Sequence, residues 1–286
     1  MAESHTGSLL FLILFNYGET MNLLFDEVAK FQASRGFPFS TEMIRRFMID
    51  NIELPEIIEY KNIPRLAPPF PSMWFEWREA HVHSQFGLHL ISTQGIDGWD
   101  YTALGWISSK TYRKGPKLQP YAMKFHIPVS GRINFFECQS FPIKPEPHVL
   151  VRSSSMSVEE YMNAFVAAYM TKVLFAIGLL HCKNIVQIER GGKNPNVTHR
   201  RQRSKGTKHY ILDVVPARNI KRTEYEHPLK GSPQRIHFRR GHFKEYTMDK
   251  PLFGKYVGTF WWEAHVAGSK DIGEIKKDYR ILPMQQ

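Results

Sequence analysis

Residues Ser157 to Cys182 read SVEEYMNAFVAAYMTKVLFAIGLLHC. Ser157 followed three residues later by Glu160 is the reciprocal capping pair that opens helices, and the pattern beyond it predicts one long helix to about Cys182. Apolar residues occupy almost every side of that helix, so other elements should cover most of its faces. Asn163, Thr171 and Lys172 interrupt the stretch from Tyr161 to Leu180, leaving an uninterrupted run of eight residues after Lys172. A bilayer needs about 20. The segment is therefore a central core helix, and the rest of the chain should be arranged around it.

Working outward, the residues before this helix, Ser72 to Val151, carry short strand signals: SMWFEWRE, FGLHLIS, YAMKFHI, RINFFEC and HVLV, separated by Gly, Pro and Asp turns. Ser130-Gly131 between two aromatic and β-branched runs predicts a hairpin over Ile127 to Cys138. The turn-rich segment Gly95 to Lys117 reads as a structured loop. After the helix, strands are expected at Ile185 to Glu189, Lys208 to Val215, Arg235 to Arg240, Tyr256 to Glu263 and Asp278 to Leu282. Towards the N-terminus, Met21, Leu24, Phe25, Val28 and Phe31 have helical spacing, and Ser40 would cap a second helix over Thr41 to Asp50. The proline-bearing IPRLAPPFP, Ile63 to Pro71, is an extended connector. These readings divide the chain into an N-terminal helical segment (1–66), a β-rich middle region (67–152) and an α+β C-terminal region (153–286). The fold class is α+β, an antiparallel β-rich layer packed on the long helix.

The chain has 286 residues, of which 42% are hydrophobic and 23% charged, enough apolar surface to exclude a mostly disordered protein. Two cysteines, Cys138 and Cys182, exclude a disulfide framework and a cysteine-rich zinc module, and they fit a reducing cytoplasm. The early apolar run Leu9 to Phe15 lacks the flank and cleavage site of a signal peptide and is too short to span a membrane; no membrane association is expected. The net charge is +11, and it is concentrated. Between Arg190 and Arg222 stand ten basic residues and one acid, Asp213, so this strip carries +9 and the rest of the chain +2. Such a field bears on partners and not on fold.

Lys193, Arg200, Arg201, Arg203, Lys205, Lys208, Arg218, Lys221 and Arg222 form the first candidate site. A glycine-rich loop bearing these cations suits a phosphate backbone, where counterion release supplies the affinity and no rigid geometry is needed. A solvated loop that keeps the protein soluble is the plainer alternative. The second candidate is RIHFRRGHFKEYT, Arg235 to Thr247, in which His237 and His242 would act as acid and base and Arg239 and Arg240 as charge stabilisers in metal-free RNA cleavage. Hydrogen-bonded surface histidines would look the same in sequence. The third candidate is aromatic: Trp74, Trp77, Trp261 and Trp262 would serve a protein interface where exposed, although alternating aromatics usually pack a strand core. The pairs His81/His83 and His181/Cys182 match no metal module, and no phosphate-binding loop, dinucleotide fingerprint, nucleophile elbow or HExxH is present. No metal or cofactor is expected.

The blocks HFRRGHFKEYT and PLFGKYVGTFWWEAHVAG, with the upstream RLAPPFPSMWFEW, together about a quarter of the chain, resemble uncharacterised proteins of bacteriophages and other mobile elements. His237, Arg239, Arg240, Gly241, His242, Phe253, Gly254, Trp261 and Gly268 carry the shared pattern. The resemblance implies a context, the cytoplasm of a bacterial host, and supplies no catalytic residue. Three expectations follow. The first is a non-enzymatic inhibitor that binds a nucleic acid, or a host defence protein that handles one, through an acidic surface. The second is a metal-independent ribonuclease, and the third a homo-oligomeric assembly protein.

Overall fold

The structure, a computed structural model, describes residues 23–34, 43–55, 58–79, 84–109, 115–143, 156–191, 207–215, 235–267 and 269–274, with backbone alone for 235–238, 267 and 269–274. The expectations placed on Leu9 to Phe15, His81 and His83, His148 to Val151 and Asp278 to Leu282 lie outside the described residues. The architecture is α+β. A nine-stranded mixed sheet carries one long helix on one face and an N-terminal helix on the other.

That long helix, α2, runs from Val158 to Leu180. The Ser157 hydroxyl accepts from the Glu160 amide while the Glu160 carboxylate accepts from the Ser157 amide, the expected box. The helix widens to a π turn over Val166–Met170, where the Thr171 hydroxyl donates to the Val166 carbonyl five residues back. Every residue from Val173 to Leu179 is buried. By length and composition α2 would suffice to cross a membrane, yet 56% of its most apolar window is already covered inside the molecule, as a core helix requires.

The main sheet has the order β7-β6-β4-β3-β2-β1-β9-β8, with β5 (Lys117–Leu118) pairing β4. The long antiparallel centre is β2 (Ser72–Glu79), β3 (Ser84–Gln94), β4 (Gly98–Ser109) and β6 (Tyr121–Pro128). Two expectations fail in this region. Gly98 to Ser109, expected within a loop, is the strand β4, with Tyr101 and Ala103 buried on one face and Trp106 on the other. Its Gly105 marks close packing, since a Cβ there would lie 2.7 Å from the Phe165 ring on α2. The hairpin over Ile127 to Cys138 is not formed either: Gly131 turns the chain at φ 70°, but the partner of β6 is β7 (Gln139–Pro142). Ile133 and Phe136 leave the ladder to pack on the core, with Phe136 4.9 Å from Phe125.

The expected helix over Thr41 to Asp50 is corrected to a strand, β1 (Arg45–Met48). It lies parallel to and between β2 and β9 (His209–Val214), and Phe47 stacks on Phe75 at 5.3 Å. A segment covered on both faces gains more from the sheet than from its helical spacing, so tertiary burial overrides local propensity. Beyond β9 lies β8 (Ile185–Arg190), antiparallel to it, the last strand of the sheet. Strands from all three sequence regions thus join one layer.

The N-terminal helix α1 (Leu24–Ala33) covers the other face, burying Leu24, Phe25 and Val28 against Trp74, Trp106 and Leu118. Its free N-terminal amides meet a carboxylate from the sheet. Glu76, 2% exposed, accepts from the amides of Leu24 (2.7 Å) and Phe25 (3.0 Å) and from the Trp74 indole (3.1 Å).

The C-terminal strands form a ribbon. β10 (Arg235–Arg239) pairs β13 (His265–Ala267), and β11 (His242–Tyr246) pairs β12 (Gly258–Trp262) in the same running register; β14 (Ser269–Glu274) flanks β10. The Asn184 side chain anchors this ribbon, bonding the Trp261 amide at 2.9 Å and its carbonyl at 2.8 Å.

Candidate polyanion interface

Much of the strip of positive charge lies in one connection. Arg190, the last residue of β8, pairs with His209, the first of β9, so residues 191–208 connect two neighbouring antiparallel strands, β8 being the last strand of the sheet among the described residues. Of the named cations only Lys208 falls among the described residues; Lys193, Arg200, Arg201, Arg203, Lys205, Arg218, Lys221 and Arg222 lie outside them. Arg190 is exposed.

The base of this hairpin can be built from strand periodicity. Side chains two apart share a face, so Tyr210 on β9 with Lys208 just before that strand, Gln187 and Glu189 on β8, and Arg45 on β1, two residues before Phe47, all stand on one side. They meet there. Lys208 Nζ lies 2.6 Å from Glu189 Oε2, and the Tyr210 hydroxyl donates to the same oxygen at 3.3 Å. The Arg45 guanidinium carbon lies over the Tyr210 ring, 3.4 Å from its centroid, and 5.0 Å from the Phe70 centroid, and the group donates to Gln187 Oε1 at 3.1 Å. The lysine hydrogen bond, Tyr210 and the nearby Arg45 charge together hold the Glu189 carboxyl below its ordinary range. The same hydrogen bond raises Lys208. On the opposite face Arg46 stacks over Phe25 at 4.0 Å and donates to the Lys208 carbonyl, and the Thr207 amide bonds Asp26 of α1.

Sequence reasoning missed Arg45, Gln187, Glu189 and Tyr210. The Arg45-Arg46 pair was assigned to a helix, and its partners lie some 140 and more residues away, at separations of 142 for Gln187 and 162 for Lys208. Lys208, one of the polyanion candidates, pairs with Glu189.

The backbone register separates the two histidine candidates along the ribbon. His237 pairs with Ala267 and His242 with Trp262, five register steps apart, roughly 16 Å of strand. His242 is exposed and its Nδ1 contacts the Arg240 carbonyl at 3.0 Å, a local surface bond. Arg239 is exposed and Arg240 half-buried. The aromatic candidates are corrected by their burial. Trp74 is 0% exposed, Trp77 1% and Trp261 8%, so all three serve the core and not an exposed interface. Trp74 lies under α1, Trp77 stacks on Phe86, and Trp261 packs edge-on to Phe175. Trp262 faces the other side of β12 and is half-buried.

His181 bonds the Ala67 carbonyl and Cys182 is buried, donating to Gly178, so both are occupied structurally. Among the described residues no group of three or more His, Cys, Asp or Glu is arranged to hold a metal ion. An open groove of about 1420 Å³ runs past β6, lined among others by Tyr60, Lys124, Phe125, His126, Phe136 and Asn163. It lies roughly 29 Å of strand spacing from β8. Its His126 bonds Asp100 at 2.9 Å and is flanked by Asp97, and these carboxylates raise its pKa.

No family model, no curated protein and no solved structure matches this chain.

Proposed function

We propose that this chain binds nucleic acid through the hairpin of β8 and β9, as a phage or mobile-element protein that occupies a target in a bacterial cell without making or breaking bonds. One observation supports the reading: Arg190 pairs with His209 at the ends of two antiparallel strands, and the connection between them in sequence carries most of the +9 strip. A phosphate backbone would be held by counterion release from these cations. Arg45 and Lys208, beside Glu189 at the foot of this connection, would add contacts on the sheet.

A salt series tests it. Anisotropy of a labelled oligonucleotide should report binding that weakens linearly in log K against log salt, with a slope of several units. Affinity that is flat with ionic strength, or no binding at low salt, removes the proposal. Capture from bacterial lysate, with and without nuclease, separates nucleic acid from an acidic protein partner. A catch that survives nuclease and is protein alone would favour a host protein as the target instead.

A further inference from the structure

Four polar side chains at the base of the hairpin converge in a way that the sheet alone does not require. Glu189 is the single carboxylate of the group: Lys208 and the Tyr210 hydroxyl bond its Oε2, and the Arg45 guanidinium, over the Tyr210 ring and bonded to Gln187, adds positive charge nearby. Arg45 is held independently of the carboxylate: its guanidinium lies over the Tyr210 ring, 3.4 Å from the centroid, stands 5.0 Å from the Phe70 centroid, and donates to Gln187. Glu189 and Lys208 have side chains 51% and 53% exposed, so their ion pair faces solvent and can open without disturbing the packing. An ammonium and a phenol hydroxyl on one oxyanion, with a planar guanidinium beside them, are groups that recognise a phosphate.

We infer that Glu189 stands in for a phosphate of the nucleic acid, so that Arg45, Lys208 and Tyr210 form a phosphate site that the chain's own carboxylate occupies until a polyanion displaces it. The inference rests on the nucleic-acid reading above and deepens it by naming one contact. Binding would swing the Glu189 side chain outward to solvent and exchange one anion for another on the same donors, with no covalent step. The occupied site lowers affinity for weak anions and leaves the extended, multiply charged backbone as the ligand able to compete.

The experiment compares Glu189→Gln with Asp213→Asn in oligonucleotide titrations. Asp213 is an exposed acid on β9 of the same hairpin, three residues after Tyr210 and therefore on the other face. Both changes remove one negative charge, so a general field effect raises affinity equally. The inferred site requires Glu189→Gln to bind roughly three- to tenfold tighter than wild type, with a salt slope steeper by about 0.7 for a single strand. Asp213→Asn should gain less than half as much. In a Lys208→Met background the Glu189→Gln gain should fall to the Asp213→Asn level, and circular dichroism melting confirms that each variant is folded. Equal gains from the two neutralisations, or a gain that persists without Lys208, overturn the inference while leaving nucleic-acid binding intact. If neither wild type nor Glu189→Gln binds at low salt, both the inference and the nucleic-acid reading fall together.

Discussion

Glu76 and Glu189 are carboxylates on two strands of one sheet, and their surroundings give them opposite roles. Glu76 is buried between α1 and β2, and the groups that bond to it are N–H donors, two of them the free amides at the start of a helix. Glu189 stands half-exposed on the edge, and an ammonium and a phenol hold it. Burial pushes Glu76 up to about 7 despite its three hydrogen bonds, whereas Lys208 pulls Glu189 down. An acid in the interior becomes a structural fastening that responds to pH. At the rim it becomes an exchangeable ligand.

The largest effect expected from this contrast is on Glu76. Glu76→Ala would leave the Leu24 and Phe25 amides and the Trp74 indole without acceptors in the interior, lowering stability by about 3 kcal/mol in urea denaturation at pH 6. A loss as small as that of an exposed substitution would mean that α1 is held by its apolar face alone. Next in size is the pH response. Because the folded pKa lies above the ordinary 4.5, the folded chain binds the proton more tightly, so this stabilising contribution is full below about pH 4.5 and lost as pH rises through about 7. Denaturation midpoints should fall across that window in wild type, and Glu76→Gln should flatten the fall. A slope that Glu76→Gln leaves unchanged assigns the titration to another group.

Gly87 sharpens the same side of the comparison. It faces Glu76 across the β2–β3 ladder, and a Cβ there would collide with the Trp74 indole that bonds Glu76. Gly87→Ala should cost about 1–3 kcal/mol by overpacking, read from the urea midpoint. An unchanged midpoint would show that the indole has room to move. The smallest effect belongs to the edge: Glu189→Gln should leave the midpoint within error of wild type, since solvent screens exposed pairs. A marked destabilisation there would make Glu189 structural and erase the contrast.

Much of this fold was legible locally. The capping box at Ser157 and Glu160, the all-round apolarity after Lys172, and the two strands flanking the basic connection are written in neighbouring residues, and the structure has them where those residues put them. The failures share a cause. Arg45 to Met48 and Gly98 to Ser109 took their conformation from strands and a helix packed over them, and Trp74 became core because α1 covers it. The candidate site divides in the same way. The concentration of cations was visible as a count, but the Arg45, Lys208, Tyr210 and Glu189 cluster joins segments more than a hundred residues apart.

The amino-acid order by itself determined the class of the fold, the central helix and the place along the chain where positive charge gathers, because capping, periodicity and net charge depend on near neighbours. The tertiary structure alone decided that β1 lies parallel at the heart of the sheet, that Glu76 is inside and Glu189 at the rim, and which cations already have partners. Burial and charge pairing are properties of distant segments brought into contact, and the free energy of that contact outweighs local preference.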